Sequence, residues 1–218
     1  MTRVMLVDDH VAFREALAFM IGREPDLEVV AEAGSLAETR TRLDAGTTVD
    51  VAVVDLLLPD GSGIDLVRDI RRRNANGAVL VLTGSTDERN VAFSIEAGAA
   101  GVLHKSAPLS EIIDAIRRLA EGGFLMPVNQ IVDLVRRASE ERASGLQARQ
   151  MLARLTPRER EVLSALALGL NDRQIADRLS ISPETVRTHM VNILAKLEVD
   201  SRLAALVFAV RHGAVTIG

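Results

Sequence analysis

The 218-residue chain contains no cysteine, so it can form neither a disulfide bond nor a thiolate metal site. This composition is compatible with a reducing cytoplasm. The sequence also lacks an apolar run long enough to span a bilayer, and its first residues lack the long apolar core of a signal peptide. We therefore expect a cytoplasmic protein that has no membrane partner.

Lysine is scarce as well, because only Lys105 and Lys196 occur among 26 basic residues. The hydrophobic fraction of 48% is enough for a core, and the length suits two modest domains. The net charge of −4 is unevenly distributed along the chain. Residues 1–121 carry 13 basic and 20 acidic side chains, whereas residues 154–218 carry 9 basic and 7 acidic side chains. Different partners for the two parts are expected, although so small a basic excess does not by itself indicate nucleic-acid binding.

The front half alternates short apolar runs with amphipathic segments. The runs cover residues 4–7, 27–33, 51–54, 79–82 and 101–104, and helical spacing follows each one, over 11–22, 36–45, 64–73, 88–97 and 108–120. Strands that alternate with helices imply right-handed crossovers and a parallel sheet. The pattern predicts a doubly wound α/β fold with five parallel strands. Its third helix should end with Arg71, Arg72 and Arg73 on the solvent side.

Polar residues stand at the carboxyl ends of four of these strands. They are Asp8 and Asp9, Asp55, Thr83, and Lys105. The carboxyl ends of parallel strands meet at one edge of the sheet, where such folds bind ligands. Clustered carboxylates suit Mg²⁺, and a lysine can pair with a phosphoryl oxygen. Each residue alone could be a helix cap or a surface residue, but together they predict phosphoryl transfer with Asp55 as nucleophile and Gly84 leaving it accessible.

With these residues, segment 3–121 resembles a response-regulator receiver domain, which has a flavodoxin-like fold. The resemblance implies that a sensor histidine kinase donates a phosphoryl group to Asp55 and that Thr83 and Lys105 hold its oxygens. It also implies Mg²⁺ as cofactor, with the ligand set Asp9, Asp55, the backbone carbonyl of Leu57 and, through water, Asp8.

Three positions depart from the family pattern. Val102 replaces the aromatic residue that often serves as a switch, so the coupled movement of threonine and aromatic ring cannot occur in its usual form. Ser106 follows the lysine where proline is common. Leu57 places an apolar side chain beside Asp55, and we expect that it cannot orient a hydrolytic water.

The connector, residues 122–152, is the least informative stretch. Val128, Ile131, Val132 and Val135 recur at helical spacing, and a second short helical piece is indicated over 147–154. A linker helix with a flexible segment and a single long helix both fit this pattern.

The back half, residues 153–218, contains four helix starts in close succession. Thr156, Asn171, Ser182 and Ser201 are capping residues, and Pro157 and Pro183 occupy first helical positions. Two helices joined by a tight turn at 180–181 match a helix-turn-helix whose third helix reads DNA. The candidate DNA contacts are Thr185, Arg187, Thr188, His189 and Asn192, with Lys196 and Arg202 for phosphates. A plain four-helix module with a polar face is the alternative.

A second resemblance covers residues 153–214. The segments 155–159, 174–176, 185–189 and 196–197 resemble the LuxR-type helix-turn-helix, and with the receiver they indicate the NarL/FixJ class of response regulators. This resemblance implies promoter DNA as a partner and a dimer formed by the last helix, 201–212, through Leu203, Leu206, Val207 and Val210. Glu184 and Val191 stand where many members carry a basic residue, so either weaker DNA binding or a greater dependence on dimerisation is expected.

The expected protein is a DNA-binding response regulator that forms a homodimer and binds promoter DNA when Asp55 is phosphorylated. It should not be an enzyme beyond self-catalysed phosphoryl transfer to Asp55. Two other interpretations are a protein-interaction adaptor controlled by the receiver and a degenerate receiver regulated without phosphorylation. A Mg²⁺-dependent phosphatase is disfavoured, because Leu57 occupies the position where many such enzymes carry a general acid.

Overall fold

The computed structural model describes residues 1–73, 77–84, 88–125 and 145–215. The first part contains seven strands and five helices. They are β1 (Thr2–Val7), α1 (Val11–Ile21), β2 (Leu27–Ala33), α2 (Leu36–Asp44), β3 (Val51–Asp55), β4 (Leu57–Leu58), β5 (Gly61–Ser62), α3 (Gly63–Arg73), β6 (Ala78–Thr83), α4 (Glu88–Glu96), β7 (Gly101–His104) and α5 (Leu109–Ala120).

Five of the strands form one parallel sheet in the order β2-β1-β3-β6-β7. Side chains alternate across it, so Val51 and Val53 pack with α1 and α5, whereas Ala52 and Val54 pack with the opposite core beside α2 and α3. Both faces are covered, which explains why the central strands are continuously apolar. The predicted doubly wound α/β fold is confirmed.

A short antiparallel hairpin of β4 and β5 follows Asp55, where the sequence indicated only a turn. Gly63 starts α3 so close to the sheet that a Cβ atom there would lie 2.0 Å from the Asp55 carbonyl oxygen. The hairpin turn also caps a neighbouring helix, because the Asp60 carboxylate accepts hydrogen bonds from the N–H groups of Leu36 and Ala37. These bonds hold the pKa of Asp60 below its usual value.

The second part is helical: α6 (Gly145–Ala153), α7 (Pro157–Ala167), α8 (Asp172–Leu179), α9 (Pro183–Leu197) and α10 (Arg202–Arg211). All four predicted N-caps accept a hydrogen bond at the helix start, and Thr156 and Asn171 form complete capping boxes. The segment indicated over 147–154 overlaps α6. The stripe from Val128 to Val135 lies outside the described residues, and the domain limits 1–121, 122–152 and 153–218 remain a prediction.

The helical part packs against the receiver-like part. Ile95 of α4 and Phe124 belong to the same apolar cluster as the core of α7 to α10, and Val91 and Val102 pack against that cluster. Arg71 also joins the two parts, because its guanidinium donates to the carbonyl oxygens of Gly77 and Asp200. The expectation that Arg71 faces solvent is therefore wrong: the helical part covers this end of α3.

Within the described ranges, no helix combines the length and the apolar character that a membrane span requires.

Candidate functional site

The acid site lies where β1 and β3 end side by side. The register pairs Val7 with Val54, so the next residues, Asp8 and Asp55, emerge together at the carboxyl edge of the sheet. Both carboxylates are buried, and Asp55 is only 3% exposed. Two buried carboxylates at one edge repel each other, so the site needs a cation.

Lys105 supplies one positive charge to this pair. Its Nζ lies 2.6 Å from Asp55 Oδ2 and 2.8 Å from Asp8 Oδ2. Burial favours loss of its proton, but the hydrogen bonds to Asp55 and Asp8 outweigh burial and raise the pKa of Lys105. The ammonium also lies 5.7 Å from the ring centroid of Phe13, a contact that no sequence signal revealed. Lys105 is therefore a fixed cation beside the predicted nucleophile.

The other predicted residues surround Asp55 in different ways. Thr83 is buried at the end of β6, next to the β7 end that carries Lys105. Gly84 follows at the surface, and a Cβ atom there would meet no protein atom within 4 Å. The Leu57 N–H donates to Asp55 Oδ1 at 3.2 Å, while the Leu57 side chain is 76% exposed. The space next to Asp55 is thus open on the Leu57 and Gly84 side.

Four side chains at this edge could hold a metal ion: Asp8, Asp9, His10 and Asp55. Their nearest donor atoms all lie within 4.8 Å of one another. The chemistry of this donor set fits a divalent cation, since three carboxylates supply hard oxygen ligands. His10 was missed at the sequence level, although its position directly after the acid pair was visible.

The predicted recognition helix is α9, and its apolar face is buried in the helical core. Arg187, Thr188 and Asn192 are exposed, while Thr185 and His189 are half-buried. The structure therefore places the five candidate DNA contacts on the polar side of one helix. One flank of this helix, which includes Glu184, Arg187 and Val191, lines a cleft of about 520 Å³ against the other part of the chain.

Arg187 is paired with a buried acid. Asp172 Oδ2 lies 3.2 Å from Arg187 Nε, and Asp172 Oδ1 lies 2.9 Å from Arg202 Nη2. Arg202 also donates to the carbonyl oxygen of Gly122, and the Asp172 N–H donates to the carbonyl oxygen of Glu121. Asp172 thus binds two predicted DNA contacts at the junction with α5, which sequence spacing could not reveal.

Lys196 also has an internal partner. Its Nζ lies 2.7 Å from both carboxylate oxygens of Glu159. Burial alone would raise the pKa of Glu159, but the bonds from Lys196 and from the Thr156 backbone lower it. Glu159, the glutamate of the α7 capping box, is therefore also the counter-ion of a predicted phosphate contact.

The residues predicted for dimerisation lie on α10. Leu203, Leu206 and Val207 are buried in the helical core, whereas Val210 is half-buried. Phe208 is half-buried as well, and its ring centroid lies 4.7 Å from that of His212. The accessible part of α10 therefore includes Phe208 and Val210.

The five-stranded sheet and its acid site define a receiver fold, and the family comparison agrees. Residues 4–117 match the model of the response regulator receiver domain. Residues 153–209 match the model of the bacterial regulatory proteins of the luxR family. The chain therefore belongs to the NarL/FixJ class of response regulators, in which a receiver is joined to a LuxR-type helix-turn-helix domain. This family consists of transcriptional regulators rather than classical enzymes.

Relatives with this domain order are similar over nearly the whole chain. The chain is 37% identical over 209 residues to the DNA-binding transcriptional activator DevR/DosR of Mycobacterium tuberculosis, covering 96% of this chain and 94% of that one. It is 37% identical over 218 residues to the nitrate/nitrite response regulator protein NarP of Escherichia coli, covering 97% and 96%. Among solved structures, the signal receiver domain of the putative response regulator NarL from Mycobacterium tuberculosis matches with 29% identity and a TM-score of 0.52, covering 56% of this chain and 97% of that one.

Proposed function

We propose that this protein is a DNA-binding response regulator in which Asp55 accepts a phosphoryl group from a sensor histidine kinase. One observation carries the proposal: Lys105 Nζ bridges the buried carboxylates of Asp8 and Asp55 at the carboxyl edge of the sheet. A lysine ammonium can pair with a phosphoryl oxygen when a phosphoryl group joins Asp55. The transfer is self-catalysed, and a cytoplasmic location remains part of the proposal.

The side chains of the acid site have separate roles in this transfer. Asp55 is the nucleophile, and Lys105 stabilises the charge of the arriving group. Mg²⁺ would be held by Asp9, Asp55 and the Leu57 carbonyl, with Asp8 through water, and it would neutralise charge on the phosphoryl oxygens. Thr83 would donate to one of these oxygens, and Gly84 leaves room beside it.

In the helical half, α9 would read promoter DNA through Thr185, Arg187, Thr188, His189 and Asn192, and Arg202 would contact a phosphate. Lys196, also a candidate phosphate contact from the sequence, is expected to remain paired with Glu159. The proposal includes a change of state, because Arg187 points into the cleft and is paired with Asp172. Phosphorylation of Asp55 would favour a form in which α9 is free of the receiver. Dimerisation through α10, with Leu203, Leu206, Val207 and Val210, would then present two copies of α9 to the DNA.

The first test is the mass of the protein after incubation with Mg²⁺ and a small phosphoryl donor, with the dimer fraction measured in the same samples. We expect one added phosphoryl group in the wild type and in Asp60→Asn, and none in Asp55→Asn. Asp60 is a matched control because it is an exposed acid on the adjacent hairpin turn. An unmodified wild type would contradict the proposal and indicate a degenerate receiver.

One observation favours a second candidate, an adaptor whose helical half binds a protein. Three cations predicted to contact DNA are already paired with buried acids: Arg187 and Arg202 with Asp172, and Lys196 with Glu159. A gel shift with DNA from upstream of the protein's own coding region separates the two candidates. A shift with the wild type that is lost in Arg187→Ala supports DNA reading. The absence of a shift with both the wild type and Arg187→Ala supports the adaptor.

A further inference from the structure

His10 is the nitrogen donor in the cluster at the acid site, and it forms the N-cap position of α1. Its side chain makes no capping hydrogen bond to that helix, so capping does not explain where the imidazole lies. The ring turns toward the acids instead: His10 Nδ1 lies 2.8 Å from Asp9 Oδ1 and 3.3 Å from Asp8 Oδ1. An imidazole in this position is a potential metal ligand.

The opposite edge of the acid pair is taken by Lys105, which contacts Oδ2 of Asp8 and Oδ2 of Asp55. The Oδ1 edge of Asp8 faces His10, whose backbone N–H donates to it at 2.9 Å. The cluster therefore has a permanent cation on one side and an exposed nitrogen ligand on the other. A second cation can approach from the His10 side without displacing Lys105.

The spacing of the donors is that of ligands on one ion. Neighbouring ligands of an octahedral ion with bonds of about 2.1 Å lie roughly 3 Å apart. The distances from His10 Nδ1 to the two acid oxygens, 2.8 and 3.3 Å, are ion-pair contacts in this structure, and they are also close to this value. The largest separation in the cluster, 4.8 Å, slightly exceeds the roughly 4.2 Å between opposite ligands. The donors would therefore have to move closer together by about half an ångström to hold one ion.

We propose that His10 is a metal ligand of this site and that it strengthens binding of borderline divalent ions such as Co²⁺, Ni²⁺ and Zn²⁺ far more than binding of Mg²⁺. The inference rests on the proposed function, because it takes the acid site to be a cation site. Imidazole nitrogen suits these borderline ions, whereas Mg²⁺ prefers oxygen and keeps several of its waters. The protein would therefore hold a metal other than Mg²⁺ whenever such ions compete for the site.

The test compares wild type with His10→Gln, which keeps a polar side chain but lacks the imidazole. His212→Gln is the matched control, because it removes a half-buried histidine at the carboxyl end of α10, in the other half of the chain. Co²⁺ affinity is measured from the visible absorption of the bound ion, whose bands shift when an imidazole nitrogen replaces an oxygen ligand. Mg²⁺ affinity is measured by calorimetry, and circular dichroism checks that the variants are folded.

We expect His10→Gln to weaken Co²⁺ binding by about tenfold or more and to change its spectrum, with Mg²⁺ affinity altered less than about twofold. His212→Gln should match the wild type. If Co²⁺ binding is unchanged in His10→Gln, or if binding of both ions weakens equally, the inference about His10 is wrong. The proposed function is unaffected by that result as long as the wild type still takes up a phosphoryl group with Mg²⁺. A wild type that binds neither ion would overturn the Mg²⁺ part of the proposed function as well.

Discussion

Lys196 can either pair with Glu159 or bind a DNA phosphate, and the free energies of these two interactions decide between them. Glu159 is almost fully buried, and both of its oxygens contact Lys196 Nζ. Removing one partner of a buried pair costs about 3–5 kcal/mol, and we reduce this to about 2 kcal/mol because the Lys196 side chain is 32% exposed. Binding to a DNA phosphate would have to stabilise the complex by more than that loss. We therefore expect Lys196 to stay on Glu159 when DNA is bound.

The perturbation is Lys196→Met, which keeps the length of the side chain and removes its charge. We expect the helical half to lose about 2 kcal/mol at pH 7. The chain has no tryptophan or tyrosine, so hydrogen exchange of the α7 and α9 amides is the suitable assay. The salt dependence of DNA binding is measured in parallel, with Arg187→Met as the variant that should make it shallower.

The pH dependence gives the prediction a second check. The pKa of Glu159 is lowered in the folded protein, so the pair stabilises the fold at pH values above the ordinary pKa of glutamate. That contribution is lost as pH falls through the lowered pKa, and the difference between wild type and Lys196→Met should then disappear. A salt slope shallower by about 0.9 in Lys196→Met, with no loss of stability, would refute the reasoning and assign Lys196 to a phosphate.

Two further predictions concern the surroundings of Asp55. Gly63→Ala would push a Cβ atom against the Asp55 carbonyl, so we expect a loss of roughly 3 kcal/mol in thermal unfolding and reduced phosphoryl uptake, whereas Gly84→Ala should leave stability unchanged. Equal stability of the two variants would contradict this. Leu57→Asn should speed loss of the phosphoryl group from Asp55 without changing stability, because Leu57 is exposed and apolar. An unchanged rate, measured by mass over time, would show that this position does not control hydrolysis.

Local signals explain how much of the molecule could be predicted from the sequence. Each strand is an apolar run that ends in a polar residue, and each of the last four helices starts at a capping residue followed by its own apolar stripe. These signals act over a few residues, so they predict where helices and strands lie. The order of the strands then places Asp8, Asp55 and Lys105 at one edge of the sheet. The hairpin β4–β5 could not be predicted, because a strand of two residues is too short to show an alternating pattern of apolar and polar side chains.

Contacts between distant segments could not be predicted in the same way. Arg71 lies in a run of three arginines that looks solvated, and only the packing of the helical half over the end of α3 buries it. Asp172 looks like an ordinary first-turn acid, yet it pairs with Arg187 and Arg202, which lie on two other helices. Such partners are set by tertiary geometry, for which neither spacing nor charge gives a signal.

The two functional regions lie at opposite edges of the sheet. Asp55 ends β3, whereas the cleft beside α9 is lined by Arg3, Asp50 and Ala78 at the amino ends of their strands. Because β3 alone spans about 17 Å at 3.3 Å per residue, Asp55 cannot contact α9. Val102 packs both against the core beside α3 and against the helical core. Close-packed interiors transmit displacement, so we expect a shift of β7 at Val102 to displace the side chains of the helical half that pack against it, even without an aromatic switch residue.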